Sequence, residues 1–358
     1  MDPWLLKRFL DEVSARSREI SEAIDRRIRA AERIAESCRD LLKPLPPPAR
    51  STARVAGLDG SFQVVGPSHL RLLLAVAVLI ELPQGLESHD VEVVFAEHHV
   101  DVVHGIDDVV VRGAAEDIMM LLETRGLEHV DKLGGAEALF IDGPLMDPPR
   151  PLLPESRGFF EKAGLSAVHD RYHGWRASAL LKAVEEGLLA VGYVKRPGSD
   201  ELLLRAVKSC GKEYSALFEG DDDLVASMLV AKPELRTSFI GPVEYPSEHP
   251  LYQEYLRRGV HIAAAYIVPP GRARPVRVEV AVVGSDPEEA ILRAVALTMG
   301  LTPTGLHHPL PVVLAHERCS ISRDAAATML RELVSRVLSS LRLRGAAGPS
   351  IVEGWAEP

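Results

Sequence analysis

At 358 residues, 46% hydrophobic and 26% charged, the chain has the length and balance of a globular protein with one large core or two smaller ones. A formal net charge of -10 excludes an all-over basic coat for nucleic acid but leaves room for a local basic groove. Three scattered cysteines, Cys38, Cys210 and Cys319, show neither paired metal spacing nor a disulfide pattern, which points to a reducing cytoplasm.

The opening residues Met1 to Arg8 carry charges and no long apolar run, so no signal peptide is expected. The apolar run Leu70 to Leu82 is too short to span a bilayer, and a soluble cytoplasmic protein without a membrane partner is the expectation. From about Pro3 to Leu42, apolar residues recur near helical spacing at Leu5, Phe9, Val13, Ile20, Ile24, Ile28, Ile34 and Leu41. Residues 1–50 are therefore read as a helical arm, closed by the stiff Pro44 to Pro48 connector. Such an arm suits dimerisation or partner docking, and equally suits packing on its own domain.

Val55 to Leu58 fit a buried strand, and the run then meets Asp59-Gly60-Ser61, where the chain is expected to turn out of the sheet. A carboxylate at the end of a buried strand is costly without a partner, and a divalent cation is a suitable one. Taken alone, a simple turn aspartate is the better reading. The same arrangement returns at Ala138-Leu-Phe-Ile-Asp142-Gly143, which could bring two carboxylates to one edge of one sheet.

Arg71 to Glu81 reads as a central strand, Val91 to Phe95 as a third strand that His98 to Val103 extends, and Asp107 to Arg125 as a helix. Glu137 to Asp142 is the next strand, Val168 to Glu186 a long helix and Leu188 to Lys195 a further strand. Three strands, helix, strand, helix, strand describes an α/β sheet that begins with a meander. Beyond it, helices are expected at Glu201 to Cys210, Asp223 to Ala231 and Asp286 to Met299, the last with an aspartate cap. Strands are expected at Ile262 to Val268 and Val276 to Val283. Gly305 to Pro311 reads as a loop, Ser322 to about Arg344 as a final helix and 345–358 as a tail.

Six segments follow in order: Leu58-Asp59-Gly60-Ser61, Arg112 to Glu116, Phe140-Ile-Asp142-Gly-Pro-Leu145, Val191 to Lys195, Val276 to Glu279, and His308 to His316. Together they resemble the NurA family of nucleases, which have a ribonuclease H-like fold. Two departures are visible: Pro144 follows Gly143 where the family often has serine, and the loop reads Leu306-His307-His308-Pro309 where an aromatic-proline pair is common. The resemblance implies an α/β, ribonuclease H-like mixed sheet flanked by helices over residues 51–344, with the N-terminal arm and a C-terminal helix added to it. It implies a DNA nuclease that works 5′ to 3′ in end resection as a homodimer beside a HerA-type hexameric translocase. Single-strand endonuclease activity and an RNA substrate stay open, and a non-catalytic adaptor of the same fold is the alternative.

The residue types agree with hydrolysis of a phosphodiester by two divalent ions about 3.5–4 Å apart. Asp59, Glu116 and Asp142 are the expected carboxylate ligands, with Asp59 bridging and Glu116 reaching over from its helix. His316, read as partly buried just before a helix, is the fourth candidate, as metal ligand or proton carrier. Mixed carboxylate and imidazole donors suit Mn²⁺, with Mg²⁺ as the alternative. Lys195, Arg236 and Arg277 are candidates for phosphate contact, and the stretch Arg272 to Arg277 for a DNA-facing wall. Arg277 and Glu279 alternate onto one strand face, and an exposed strand-end charge or an Arg-Glu surface pair is almost as good a reading of these basic residues.

Overall fold

A computed structural model describes residues 3–49, 54–67, 69–83, 91–146, 157–162, 164–169, 171–195, 200–211, 216–247 and 249–343. The expected tail, 345–358, lies outside the described residues. Nine strands form one mixed sheet: β1 (Leu42–Pro44), β2 (Arg54–Val65), β3 (Arg71–Leu82), β4 (Glu92–Val103), β5 (Ala136–Asp142), β6 (Leu189–Val194), β7 (Ser238–Glu244), β8 (His261–Ile267) and β9 (Val276–Val282). Their order across the sheet is β1-β7-β8-β9-β6-β5-β2-β3-β4. The antiparallel meander β2-β3-β4 is followed by β5 and β6, each parallel to its predecessor in the sheet, while β9, β8, β7 and β1 add antiparallel neighbours. The ribonuclease H-like mixed sheet flanked by helices is thus present.

The helices are α1 (Pro3–Ser37), α2 (Asp108–Leu127), α3 (Arg157–Lys162), α4 (Ser166–His169), α5 (Tyr172–Glu185), α6 (Glu201–Cys210), α7 (Asp221–Ala231), α8 (Pro250–Leu256), α9 (Pro287–Gly300), α10 (Leu310–Cys319) and α11 (Arg323–Leu343). The aspartate cap read from sequence is made, Asp286 Oδ1 accepting from Glu288 N at 2.9 Å, and Ser322 Oγ likewise accepts from Ala325 N at 3.1 Å. The long helix expected over 168–186 is instead two pieces, α4 and α5. Strand β7 and helix α8 were not legible, and α10 begins inside the segment read as a loop.

The two faces of the sheet carry separate cores. Val55, Val78, Ile80, Ala138 and Phe140 pack under α9 and α10, through Ile291, Val295, Val312, Ala315 and Cys319. On the opposite face, Val64, Leu73, Ala75 and Ala77 pack on Val111, Ala115, Ile118 and Leu122 of α2. Burial of apolar surface in these layers, at about 25 cal/mol for each square ångström, contributes to the driving force for folding. They also decide which side chains can meet, because alternate strand residues face opposite helices.

The arm is not a separate unit. Ala30, Ala31, Ile34, Ala35 and Cys38 of α1 are buried against α6 and α7, and the chain then joins the sheet edge as β1, paired to β7. Pro44, read as the start of the connector, is a strand residue paired with Ser238, as Lys43 before it is with Phe239. The first half of α1 differs: Trp4, Leu5, Leu6, Phe9, Leu10, Val13, Ile20 and Ile24 are exposed. No helix among the described residues is long and apolar enough to cross a membrane.

Candidate metal centre

Asp59 does not end its strand. Strand β2 runs on to Val65, held by pairing with β3 from Val55↔Leu82 to Val65↔Leu72. What ends near Asp59 is the parallel pairing to β5, whose last pair is Leu58↔Ile141. Asp59 and Asp142 therefore stand side by side on neighbouring strands, and both face α10, as Val55 and Ala138 do below them. Asp142, unlike Asp59, does stand at a strand end, followed by Gly143 with φ 133°.

Helix α10 comes close because Gly57 lacks a side chain: a Cβ there would stand 2.3 Å from the Pro311 carbonyl oxygen. This approach lays the helix over β2 and brings His316 Nδ1 to 2.8 Å from Asp59 Oδ2. His316 lies within the helix, not before it, and its side chain is 54% exposed rather than partly buried. Beneath it, Asp59 is only 4% exposed, and its Oδ1 accepts from the Gly60 amide at 2.8 Å. Burial, followed by the charge of Asp142, pushes the Asp59 carboxyl up to about 6, against the opposing pull of His316. Two carboxylates this close repel each other unless a cation lies between or beside them.

Cys319 is one helical turn from His316 and lines the same pocket, so that one donor atom each from Asp59, His316 and Cys319 lie within 4.8 Å of one another. The cysteine count had set it aside as unpaired, but the spacing His316-x-x-Cys319 on a helix was the signal for it. Burial and the neighbouring Asp59 carboxylate push the thiol pKa well up.

A basic rim flanks Asp142. Lys195 Nζ donates to Asp142 Oδ2 at 2.5 Å, and Arg272 Nη2 donates to the Lys195 carbonyl at 3.4 Å. Arg272 Nη1 also donates to His308 Nδ1 at 3.2 Å. Burial, Lys195 and Arg272 together push the His308 imidazole down to about 4, so it stands neutral beside them. Of the stretch Arg272 to Arg277, then, Arg272 is the residue brought to this rim.

Arg277 does not serve there. It is 1% exposed, pairs with Glu201 at 2.5 Å and Glu279 at 2.9 Å, and has the rings of Tyr245 and Tyr266 within 4.7 and 5.8 Å of its guanidinium. As placed, it cannot meet a phosphate. Glu279 instead reaches the segment after Asp142, accepting from the Leu145 amide at 2.7 Å. From the other side Arg176 of α5 donates to the Pro144 and Leu145 carbonyls at 3.0 and 2.7 Å. These two buried residues, Glu279 and Arg176, hold the segment by which the chain leaves the sheet after Asp142. No pattern in the sequence marked Arg176. Arg236 is exposed in a 3-10 turn leading into β7. Five strand spacings separate β7 from β2, about 24 Å at the usual spacing, so Arg236 stands apart from Asp59.

Glu116 is half-buried on α2, the helix that covers the face opposite Asp59 and Asp142. Of the three carboxylates expected at one site, Asp59 and Asp142 share a face, while Glu116 starts from the helix on the other face, from which it was expected to reach over. Two turns on from Glu116, Glu123 is buried beside Gly60, where a Cβ would stand 2.7 Å from its Oε1, and 3.9 Å from Arg176.

Fold and site define a mixed α/β protein with two adjacent carboxylates, one buried and one half-buried, an imidazole above them and a basic rim, the donor set of a divalent-cation site. A family model described as the NurA domain matches residues 53–321, and the chain belongs to the NurA family. Among solved structures, the NurA nuclease from Sulfolobus solfataricus is similar at 13% identity and a TM-score of 0.61, over 96% of this chain and 98% of that one. A NurA structure bound to dAMP and manganese is similar at 14% identity and a TM-score of 0.44, over 94% and 97% of the two chains. No curated protein matches the sequence.

Proposed function

We propose that this protein is a metal-dependent DNA nuclease. The observation that carries the proposal is the pair Asp59 and Asp142 on adjacent parallel strands, with His316 2.8 Å from the buried Asp59. Family membership supports it, and the relative from Sulfolobus solfataricus is a nuclease. The residues fit a divalent cation: a buried carboxyl pushed up to about 6 by burial and by a second carboxylate gains most from a positive neighbour.

Asp59, Asp142 and His316 would hold Mn²⁺, with Mg²⁺ as the alternative, and Glu116 would add its carboxylate from α2 past the open edge of β2. Bound there, the cation supplies neutralising charge for the phosphate and a more acidic water, and the two-ion arrangement belongs to this proposal. If it is not a ligand, His316, exposed and hydrogen-bonded to Asp59, would instead hold or pass a proton at its outward nitrogen. Lys195 and Arg272 orient the phosphate on the Asp142 side. The Arg236 side of the sheet would contact DNA only outside the cutting site.

The physiological setting we propose is 5′ to 3′ resection of DNA ends in the cytoplasm beside a HerA-type hexameric ATPase. The exposed apolar stripe of α1, Trp4 to Ile24, is the surface we assign to a homodimer or to the hexamer. Incubating the protein with labelled single-stranded DNA, duplex ends and RNA, in Mn²⁺ or in EDTA, tests the reading. Cleavage of DNA that EDTA abolishes is expected. Binding without cleavage under every metal would leave an adaptor.

A further inference from the structure

The pocket above Asp59 contains a donor that a manganese or magnesium site has no use for. Cys319 Sγ, an imidazole nitrogen of His316 and a carboxylate oxygen of Asp59 lie within 4.8 Å of one another. His316 and Cys319 are one turn apart on α10, a spacing that puts both side chains on one helix face, while Asp59 comes from the strand beneath. The three converge from two rigid elements, and the close approach at Gly57 fixes how those elements sit. His316 is open to solvent and gives a path in, whereas Asp59 and Cys319 are buried below it.

Hard cations such as Mn²⁺ and Mg²⁺ take oxygen, with imidazole acceptable to manganese, and gain little from sulfur. Zn²⁺ takes sulfur, nitrogen and oxygen in a tetrahedron, with bonds of roughly 2.0–2.3 Å and donors therefore about 3.3–3.8 Å apart. The set Asp59-His316-Cys319 matches that donor list and needs about 1 Å of side-chain closure to reach it. A catalytic zinc ordinarily keeps three protein ligands and an open fourth position, and zinc binds such sites more tightly than manganese does.

We propose that Asp59, His316 and Cys319 form a zinc-selective site through which Zn²⁺ displaces the working cation and switches the enzyme off. The site rests on the reading above in sharing Asp59 and His316 with the proposed nuclease centre. Zinc there ties Asp59 and His316 to the Cys319 thiolate, so that neither is left to share a working cation with Asp142. On binding, the Cys319 thiol gives up its proton to solvent and the thiolate forms the metal–sulfur bond, with no change of oxidation state.

Co²⁺ reports such a site, since a cysteine ligand gives it a near-ultraviolet thiolate-to-cobalt charge-transfer band. The full-length protein titrated with Co²⁺ in the absence of DNA should develop that band, and one equivalent of Zn²⁺ should erase it. Cys319→Ser should lack the band, whereas Cys38→Ser and Cys210→Ser, whose sulfurs lie at the α1–α6 contact, should keep it. No band in the wild type, or a band that survives Cys319→Ser, overturns the site, whether or not the protein cuts DNA. A protein that never cuts DNA in Mn²⁺ but shows the band refutes the nuclease reading alone. In manganese-supported cleavage, each variant measured against its own zinc-free rate, Cys319→Ser should need at least about tenfold more zinc for half-inhibition. Tenfold is the lower limit of what losing even an outer partner of a ligand does to metal affinity. Equal zinc sensitivity in wild type and Cys319→Ser would overturn the regulatory role.

Discussion

Replacing Asp59 by asparagine should make the metal-free protein more stable at neutral pH. The carboxyl is lifted from the ordinary 3.8 to about 6, first by burial and then by the charge of Asp142. The folded protein therefore holds that proton more tightly than the unfolded chain does. Its favourable contribution is complete below about pH 4 and is lost as pH rises through about 6, so above that the ionised Asp59 destabilises the fold. A rise of that size corresponds to about 3 kcal/mol, at about 1.4 kcal/mol for each tenfold in proton affinity. Asparagine keeps the shape and its oxygen can still accept from the Gly60 amide, while its amide group can face His316. The expected gain at pH 7.5 is about 3 kcal/mol, or roughly 5 °C in Tm for a chain of this length. Thermal denaturation in EDTA from pH 4 to 8 should show the two proteins converging at the acid end. Adding Mn²⁺ should raise the wild-type Tm and leave the variant unmoved. A variant less stable than wild type at pH 7.5, or a difference that does not change with pH, would refute the electrostatic account of this site.

If His316 carries a proton or ligates the cation, His316→Ala should slow cleavage by about 10²–10⁴-fold while DNA affinity and Tm stay near wild type. His307→Ala and His308→Ala serve as controls, and a collapse of rate in either, with a normal His316→Ala, would move the role into that loop. Arg277→Ala should lose about 3–5 kcal/mol of stability in denaturant titration, because it strands the half-buried Glu201 and the buried Glu279, with little change in DNA affinity per folded molecule. Deleting residues through Ile24 should lower the oligomeric mass in light scattering, or weaken capture by a HerA-type hexamer, without unfolding the protein. Deletion through Lys43 should in addition cost stability, since it removes Ala30 to Cys38 from the core and two residues of β1.

The sequence by itself determined most of the sheet, because strands buried on both faces read as apolar runs that no surface element mimics. Arg71 to Leu82 and Ala136 to Asp142 stand within a residue of the expected bounds, and α6 agrees at both ends. It also determined the pair Asp59 and Asp142, since each breaks an apolar strand with a charge that burial makes costly. Which face a side chain occupies was decided only by the tertiary structure. Local periodicity placed Glu116 on a helix without saying which side of the sheet that helix covers, and placed Arg277 on a strand without saying that Glu201, 76 residues earlier, would bury it. His316 and Cys319 belong to a helix that the prolines and histidines before it disguised as loop, and Arg176 gained its role from two carbonyls distant in the chain. Contacts of this kind arise from packing between elements far apart in sequence, so no local pattern encodes them.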